Sequence, residues 1–439
     1  MSSKYEKFFL NLYVFLAIFE PPILPVSFIY VLGCITIFFI ILRDQGNIDL
    51  SIFKETTMNR FYGFFIFLSI YMIIVSLVDI LFVSHDFMLI NRLKGLNQLL
   101  ILTGIQFLNI EVILHKVRST KGNIYVVYDL IINCASIQGV LSILAYLIPT
   151  VRSLFLKFSS DLYQNPWLLE RRGYGFSSSL IDLFGYGMGL AAGYALFTFN
   201  RHKFMRIIQL LLIMFSIWFN SRTGLIVFII AVFLKIIENG NLFGKMLKIS
   251  GLGVSLIYSF YIILPKIIEI GLKSMNATVK WIVTDFGGVY DSLMKTNYVV
   301  NPIQNVNQDS TYYMLLQDLV KTPDNLFQKY FGTGYSVYSA VNGYRTDVGY
   351  TNITWMFGLL GTILFCVFII YNFRMACLNT SKKEKTIIIF NLISYFIVLV
   401  KGRLIGYGPG IFVNYLILFA TIYFSRKNEG IDGEVNEKI

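Results

Sequence analysis

Arg222 lies inside a long apolar run, Ile207–Leu234, where a cation is costly. As one helix, this run would be about 42 Å long, against a hydrocarbon core of about 30 Å. An arginine at the centre of that core costs roughly 2.5–3.5 kcal/mol on insertion scales. The turn-forming sequence Ser221-Arg222-Thr223-Gly224 therefore predicts a break between two short helices, Ile207–Phe219 and Leu225–Ile237. Each arm would be about 20 Å long, which places Arg222 below the membrane surface as a candidate functional residue.

Other arginines lie on connections that we expect on the same face of the membrane. Arg171 and Arg172 are adjacent in one connection, Arg345 lies near the end of a long loop, and Arg403 lies in a glycine-rich turn after Lys401. Guanidinium groups bind phosphate oxygens through paired hydrogen bonds, so several of them around one cavity suit a lipid-linked phosphate or diphosphate. The alternatives are arginines that reach the lipid headgroups or that pair with neighbouring carboxylates.

Asp347 is the carboxylate that the sequence places beside this proposed basic pocket. In glycosyl transfer, a carboxylate deprotonates or orients the acceptor hydroxyl, and arginines stabilise charge on a departing diphosphate. Tyrosines recur through the long loop as far as Tyr350, and they suit contact with sugars; the alternative is an interfacial aromatic belt. Because the sequence contains no metal-ligand spacing, P-loop or serine nucleophile elbow, we expect neither a metal nor a cofactor.

The elements that carry these residues are expected to be membrane-spanning helices. The chain is 56% hydrophobic, and its mean hydropathy is +0.65, so the sequence predicts an all-α polytopic membrane protein. The formal charge of +12 does not indicate a nucleic-acid partner, because the basic residues are scattered over the connections between apolar segments. About twelve spans are predicted: Phe8–Phe19, Ile23–Leu42, Phe61–Val83, Leu93–Leu114, Ile124–Ile148, Leu180–Phe199, Ile207–Phe219, Leu225–Ile237, Ile249–Leu264, Thr351–Tyr371, Thr386–Val400 and Ile411–Phe424.

An even number of spans puts both termini on the same side of the membrane. Placing them in the cytoplasm puts most of the 37 lysines and arginines on the cytoplasmic side, as the positive-inside rule requires. The prediction is one integral membrane domain over residues 1–439, with an outer loop at 149–179, a large outer loop at 265–350 and a cytoplasmic tail at 425–439.

Four short motifs follow one another in an order that fits this topology. They are Arg171-Arg172-Gly173 before the glycine-rich Gly185–Gly193, then Ser221-Arg222-Thr223-Gly224, then Phe331-Gly332-Thr333-Gly334, and finally Asp347-Val348-Gly349-Tyr350 before Gly358-Leu359-Leu360-Gly361. Together they resemble the bacterial O-antigen/capsular polysaccharide polymerase (Wzy-type) family, within the polymerase–ligase superfamily. The ligase branch typically has a histidine where this chain has Asp347, which favours a polymerase.

The resemblance implies a metal-independent glycosyltransferase in the bacterial inner membrane, with a fold similar to the C-type glycosyltransferases. Such enzymes transfer a growing chain from undecaprenyl diphosphate to the non-reducing end of a new lipid-linked oligosaccharide unit, and a flippase and a chain-length regulator are possible partners. By this resemblance, Arg171 or Arg172, Arg222 and Arg345 bind the diphosphate or sugar, and Asp347 activates or orients the acceptor. Arg403 rests on the topology alone. A flippase or other transporter of lipid-linked oligosaccharides, or an O-antigen ligase, remains an alternative.

Overall fold

The computed structural model describes residues 3–21, 28–43, 56–85, 88–120, 122–157, 173, 175–177, 181–238, 264–273, 321–336, 348–378, 380–400, 402 and 408–436. These residues are almost entirely helical, and none of them forms a β-strand. By length and composition, five helices can cross a membrane: Asn59–Val83, Leu89–Ser119, Ile124–Leu147, Lys203–Asn220 and Gly349–Leu378. Shorter apolar helices cover Phe28–Leu42, Leu183–Phe197 and Pro409–Phe424. The chain is therefore a helical membrane protein, and the count of twelve spans stays a prediction.

The helices are numbered here in chain order. They are α1 (Ser3–Phe19), α2 (Phe28–Arg43), α3 (Thr56–Val78), α4 (Leu89–Leu96), α5 (Thr103–Ser119), α6 (Ile124–Leu147), α7 (Pro149–Lys157), α8 (Ile181–Phe197), α9 (Lys203–Asn220), α10 (Arg222–Glu238), α11 (Leu264–Leu272), α12 (Leu326–Phe331), α13 (Gly349–Leu378), α14 (Lys382–Leu399) and α15 (Pro409–Asn436). A π-helical turn, Asp79–Val83, follows α3, and a second, Asn97–Leu102, joins α4 to α5. Each predicted span overlaps one of these helices except Ile249–Leu264, which lies almost wholly outside the described residues.

The chain forms two compact units. Residues 1–232 and 317–439 make the first, which contains the bundle, and residues 233–316 make the second. In the second unit, the structure describes the end of α10 and helix α11. Glu269 on α11 accepts a hydrogen bond of 2.8 Å from Lys273, and this bond lowers the pKa of the exposed Glu269 carboxyl. The predicted large loop, 265–350, thus contributes to both units.

Helix α8 is deeply enclosed in the bundle, because every residue from Phe184 to Ala195 is buried. Three of its glycines recur at four-residue spacing and therefore share one face. Gly185 packs against the α9–α10 corner, Gly189 against Val227 of α10, and Gly193 against Phe390 of α14. Small residues let helix backbones approach closely in a membrane protein, so α8 holds these three helices together.

Helix α13 is broken at Gly358, where the backbone adopts φ 69°. The break releases carbonyl groups that other segments bind. Thr333 donates its backbone N–H to the carbonyl of Trp355 (2.7 Å), and Gly334 donates its own to Met356 (3.1 Å). The Tyr71 hydroxyl of α3 donates to the carbonyl of Phe357 (3.2 Å). Backbone groups released by a broken helix need such partners where water is absent.

The glycine turn Gly332-Thr333-Gly334 lies within the predicted outer loop 265–350, and it packs into the helical bundle. The turn lies against the α13 break and against Met72 and Ser76 of α3. The break itself is about 14 Å along α13 from the first residue of that helix. Both helices belong to candidate membrane spans. The loop therefore folds back into the bundle between residues 321 and 336, because its backbone donors satisfy the broken helix.

The predicted break beside Arg222 is confirmed, because Ser221 alone separates α9 from α10 and has an extended backbone. The predicted arms were too short: the two helices have 18 and 17 residues, about 27 and 26 Å. Helix α9 begins earlier than its apolar run because Arg206 pairs with Asp129 of α6 and is buried. Helix length alone therefore no longer requires Arg222 to lie below the surface. At the other terminus, α15 continues as a helix to Asn436, through most of the predicted tail.

Candidate functional site

The first turns of α8, Leu183–Gly187, meet several helix ends at one end of the bundle; we call this segment the α8 start. A side chain on Gly185 would overlap Ser221, and one on Gly408 would contact Leu183 at 2.8 Å. A side chain on Gly187 would lie 2.8 Å from Pro409. The α8 start thus contacts both the break before Arg222 and the Gly408-Pro409 segment at the start of α15.

A two-way hydrogen bond joins Gly173 to Asn220, the last residue of α9. Gly173 donates its N–H to the Asn220 side-chain oxygen (2.9 Å), and the Asn220 amide donates to the Gly173 carbonyl (2.8 Å). A Cβ on Gly173 would lie 2.8 Å from the Ser142 carbonyl oxygen of α6, so only glycine fits there. In the sequence, Gly173 directly follows Arg171 and Arg172, and Asn220 precedes Ser221-Arg222.

Arg152 of α7 stabilises the end of α6 on which Gly173 packs. Its guanidinium donates to the carbonyl groups of Ala145 (2.9 Å) and Tyr146 (2.8 Å). The Tyr146 ring lies 4.3 Å from the Phe219 ring of α9, measured between centroids. These bonds satisfy carbonyl groups that the end of a helix leaves without intrahelical partners.

A second pair of chain segments meets at Gly349 and Gly402. A side chain on Gly349, the first residue of α13, would collide with the Gly402 carbonyl oxygen and lie 2.6 Å from that of Leu399, at the end of α14. Gly349 follows Asp347 by two residues, and Gly402 lies between Lys401 and Arg403. Both contacts belong to the end of the bundle that contains the α8 start, since α15 begins at Pro409 on Gly187.

The predicted site residues fall into two groups. Five of them lie outside the described residues: Arg171, Arg172, Arg345, Asp347 and Arg403. Arg222 is the half-buried first residue of α10, beside the buried Ser221. Tyr350 lies in the first turn of α13 and donates its hydroxyl to the Phe396 carbonyl of α14 (3.2 Å). That hydroxyl joins two helices, which is a structural role that the sequence did not suggest.

Glu20 is a buried carboxylate at the end of α1 that the sequence did not single out as functional. It follows α1, and the ring of Phe19 lies 6.3 Å from that of Phe184. Glu20 is 1% exposed, has φ 45°, and neither carboxylate oxygen has a hydrogen-bond partner among the described residues. Burial raises the pKa of the Glu20 carboxyl well above its usual range. Its sequence signal is a lone acid before Pro21-Pro22, which predicts only a helix end.

A buried ion pair, Asp79–Arg92, is the second feature that the sequence missed. It joins the end of α3 to the start of α4 at 2.7 Å, with side chains 0% and 5% exposed. The sequence placed Arg92 on a short connection, where a basic residue has no particular signal. Its burial depends on the return of the Gly332–Gly334 turn to the bundle, which no local pattern predicts.

Comparison of the chain with protein-family models, with curated proteins and with solved structures found no match. The class is therefore defined by the fold: a helical membrane protein. Several of its turns, next to arginines in the sequence, are joined by close backbone contacts at one end of the bundle.

Proposed function

We propose that this protein is a polysaccharide polymerase of the bacterial cytoplasmic membrane, related to the O-antigen/capsular (Wzy-type) polymerases, with twelve spans and cytoplasmic termini. It would join undecaprenyl-diphosphate-linked oligosaccharide units by transferring the growing chain to a new unit. The observation that carries the proposal is the α8 start. Its glycines contact Ser221, which precedes Arg222, and Pro409, which lies six residues after Arg403. Asn220, next to Ser221 in the sequence, is hydrogen-bonded to Gly173, which follows Arg172.

The reaction needs a cationic site for its leaving group. The acceptor hydroxyl oxygen forms a bond to the anomeric carbon of the growing chain, and the bond from that carbon to the diphosphate oxygen breaks. Undecaprenyl diphosphate leaves with the electron pair of that bond. Arg171 or Arg172, Arg222, Arg345 and Arg403 would bind its oxygens, because guanidinium groups stabilise developing negative charge strongly where water is excluded.

A carboxylate must accept the proton of the acceptor hydroxyl as that bond forms. Asp347 is the candidate from the sequence, and Glu20 is a second candidate that the fold adds. The Glu20 oxygens have no hydrogen-bond partner among the described residues, and burial raises the pKa of this carboxyl, which makes its carboxylate a stronger proton acceptor. Tyr350 would hold α13 against α14 beside this site.

The test is a deletion of the gene in its host, followed by electrophoresis of the surface glycan. We expect a single repeat unit in place of a ladder, restored by the wild-type gene and not by Arg222→Ala at equal membrane levels. Arg374→Ala is the matched control, because Arg374 is exposed near the end of α13; it should restore the ladder. A normal ladder in the deletion strain refutes the polymerase. Long chains stranded on the lipid carrier would instead indicate a ligase.

One observation favours a transporter as the second candidate. The pair Arg206–Asp129, whose side chains are 3% and 33% exposed, lies about 21 Å along α9 from Asn220, so charged side chains lie toward both ends of α9. A flippase for lipid-linked oligosaccharides would carry charges along such a path. In the same deletion strain, a flippase predicts the complete loss of surface glycan.

A further inference from the structure

Asp79 and Arg92 form the centre of a buried hydrogen-bond network. Besides its ion pair with Asp79, Arg92 donates to the Thr333 carbonyl, and its guanidinium lies 5.1 Å from the centre of the Tyr335 ring. The second Asp79 carboxylate oxygen accepts a bond of 2.7 Å from Gln328 of α12. Ser84 also donates its hydroxyl to the Asp79 oxygen that binds Arg92 (2.9 Å). Gln328, Thr333 and Tyr335 come from residues 328–335, which are far from the pair in the sequence.

The helices that carry the pair are irregular where the charges lie. Asp79 opens a π-helical turn after α3, and Arg92 lies in α4, just before a second such turn. π-Helical turns inside α-helices are rare and occur frequently at functional sites. Ionised side chains within membrane-spanning segments are likewise functional candidates by default. Both helices belong to candidate spans.

The Gly332–Gly334 turn, which the pair binds, sets the position of the first part of α13. The turn satisfies the carbonyl groups that the Gly358 break releases, and Ser336 donates its hydroxyl to the side-chain oxygen of Asn352 (3.0 Å). The first residue of α13, Gly349, packs on Gly402. A displaced turn would therefore release the α13 segment that begins two residues after Asp347.

We infer that Asp79 and Arg92 are positioning residues that hold the Gly332–Gly334 turn in the α13 break and thereby fix the first part of α13. In the proposed polymerase, on which only this part of the role rests, the pair would align α13 with Gly402 without touching substrate. A buried pair suits this task, because the 328–335 segment completes its hydrogen bonds through Gln328 and Thr333. Release of the turn would leave buried polar groups without those partners, which costs free energy.

Limited trypsin digestion of the purified full-length protein tests this role without any assay of function. Lys329 lies in α12, directly before the turn, and Lys382 is an exposed reference site before α14. We expect Arg92→Lys and Asp79→Asn to speed cleavage at Lys329 about tenfold or more relative to Lys382, because cleavage follows the population of the locally opened state.

The matched control is Arg206→Lys, the same substitution in another ion pair, in which Arg206 is buried near the start of α9 and Asp129 is partly exposed. It should leave the Lys329 to Lys382 ratio unchanged. Gln328→Ala removes one bond to Asp79 and neither charge, so it supplies a milder variant if the others fail to fold; it should raise the ratio by a smaller factor. An unchanged ratio in the Asp79, Arg92 and Gln328 variants, or an equal rise in Arg206→Lys, overturns the inference.

The glycan ladder separates this inference from the proposed function. A raised ratio together with a normal ladder in the gene deletion would keep the positioning role and refute the polymerase. A single repeat unit in the deletion, with an unchanged cleavage ratio in the variants, would support the polymerase and refute the positioning role. If both hold, Arg92→Lys should form the ladder more slowly at equal protein levels, whereas Arg206→Lys should not.

Discussion

Gly185→Ala tests the close approach of α8 to the α9–α10 corner, on which the candidate site depends. The added Cβ would overlap the Ser221 hydroxyl, and it would lie 2.5 Å from the Ser221 Cβ and 3.0 Å from the Gly224 nitrogen. The helices must therefore part by about 1 Å to restore ordinary contact. Overpacking costs about 1–3 kcal/mol, and alanine returns about 0.5–1 kcal/mol of helix stability. We expect the free energy of unfolding to fall by about 1 kcal/mol, and by no more than about 2.5 kcal/mol.

The control is Gly63→Ala in α3, where a Cβ would meet no atom within 4 Å; it should gain about 0.5–1 kcal/mol. Apparent melting temperatures can be followed with a thiol-reactive fluorophore once the more accessible Cys34, Cys366 and Cys377 are replaced by serine, because Cys134 is buried and reacts on unfolding. In cells, Gly185→Ala should slow ladder formation by roughly a hundredfold, since a 1 Å displacement of a reactive group costs about that much. Stability equal to that of Gly63→Ala, with a normal ladder, would refute the reasoning.

Three further substitutions test single contacts. Asn220→Ala leaves the N–H and carbonyl of Gly173 without their partner, so it should lower the free energy of unfolding by about 1–3 kcal/mol. The control, Asn372→Ala, removes only a bond within its own helix, so it should lower the free energy of unfolding less in the same fluorophore assay. Glu20→Gln should raise the apparent melting temperature, and the gain should grow as the pH rises above about 4.3. Burial raises the pKa of the Glu20 carboxyl, so the folded state keeps the proton at a pH where the unfolded state has lost it. A gain that is constant from pH 5 to 8 would contradict this. Tyr71→Phe removes the hydroxyl that bonds to two carbonyl groups beside the α13 break. It should lower the free energy of unfolding by about 1 kcal/mol and reduce the protection of α12 from trypsin. Unchanged protection would show that the hydroxyl does not hold the turn.

The break at Ser221 was predictable because its signal is local. A serine, an arginine, a threonine and a glycine interrupt an otherwise apolar run, and no single long helix could have buried that interruption cheaply. The helix bounds were less predictable: α9 extends back to Lys203 because Asp129, 77 residues away, binds Arg206. Hydropathy assigned Arg206 to a connection, since it cannot represent a distant partner.

The same limit explains Asp79 and Arg92. Each looked like an ordinary charge near the end of an apolar segment, and their importance depends on Gln328 and Thr333, more than 200 residues further along the chain. Glu20 is similar, because its sequence gives a helix end and its burial comes from packing. The motif Phe331-Gly332-Thr333-Gly334 was recognised as a turn, but its place inside the bundle follows only from the carbonyl groups of broken α13.

The sequence by itself determined the class of the protein, because apolar segments of membrane-spanning length leave helices as the stable solution. It also determined where several helices end, because proline, glycine and arginine act on the backbone locally. Only the tertiary structure decided that Gly173 meets Asn220, that Gly185 meets Ser221 and that Gly349 meets Gly402. Those contacts depend on the shapes of surfaces distant in the chain, and on backbone groups that no local partner satisfies.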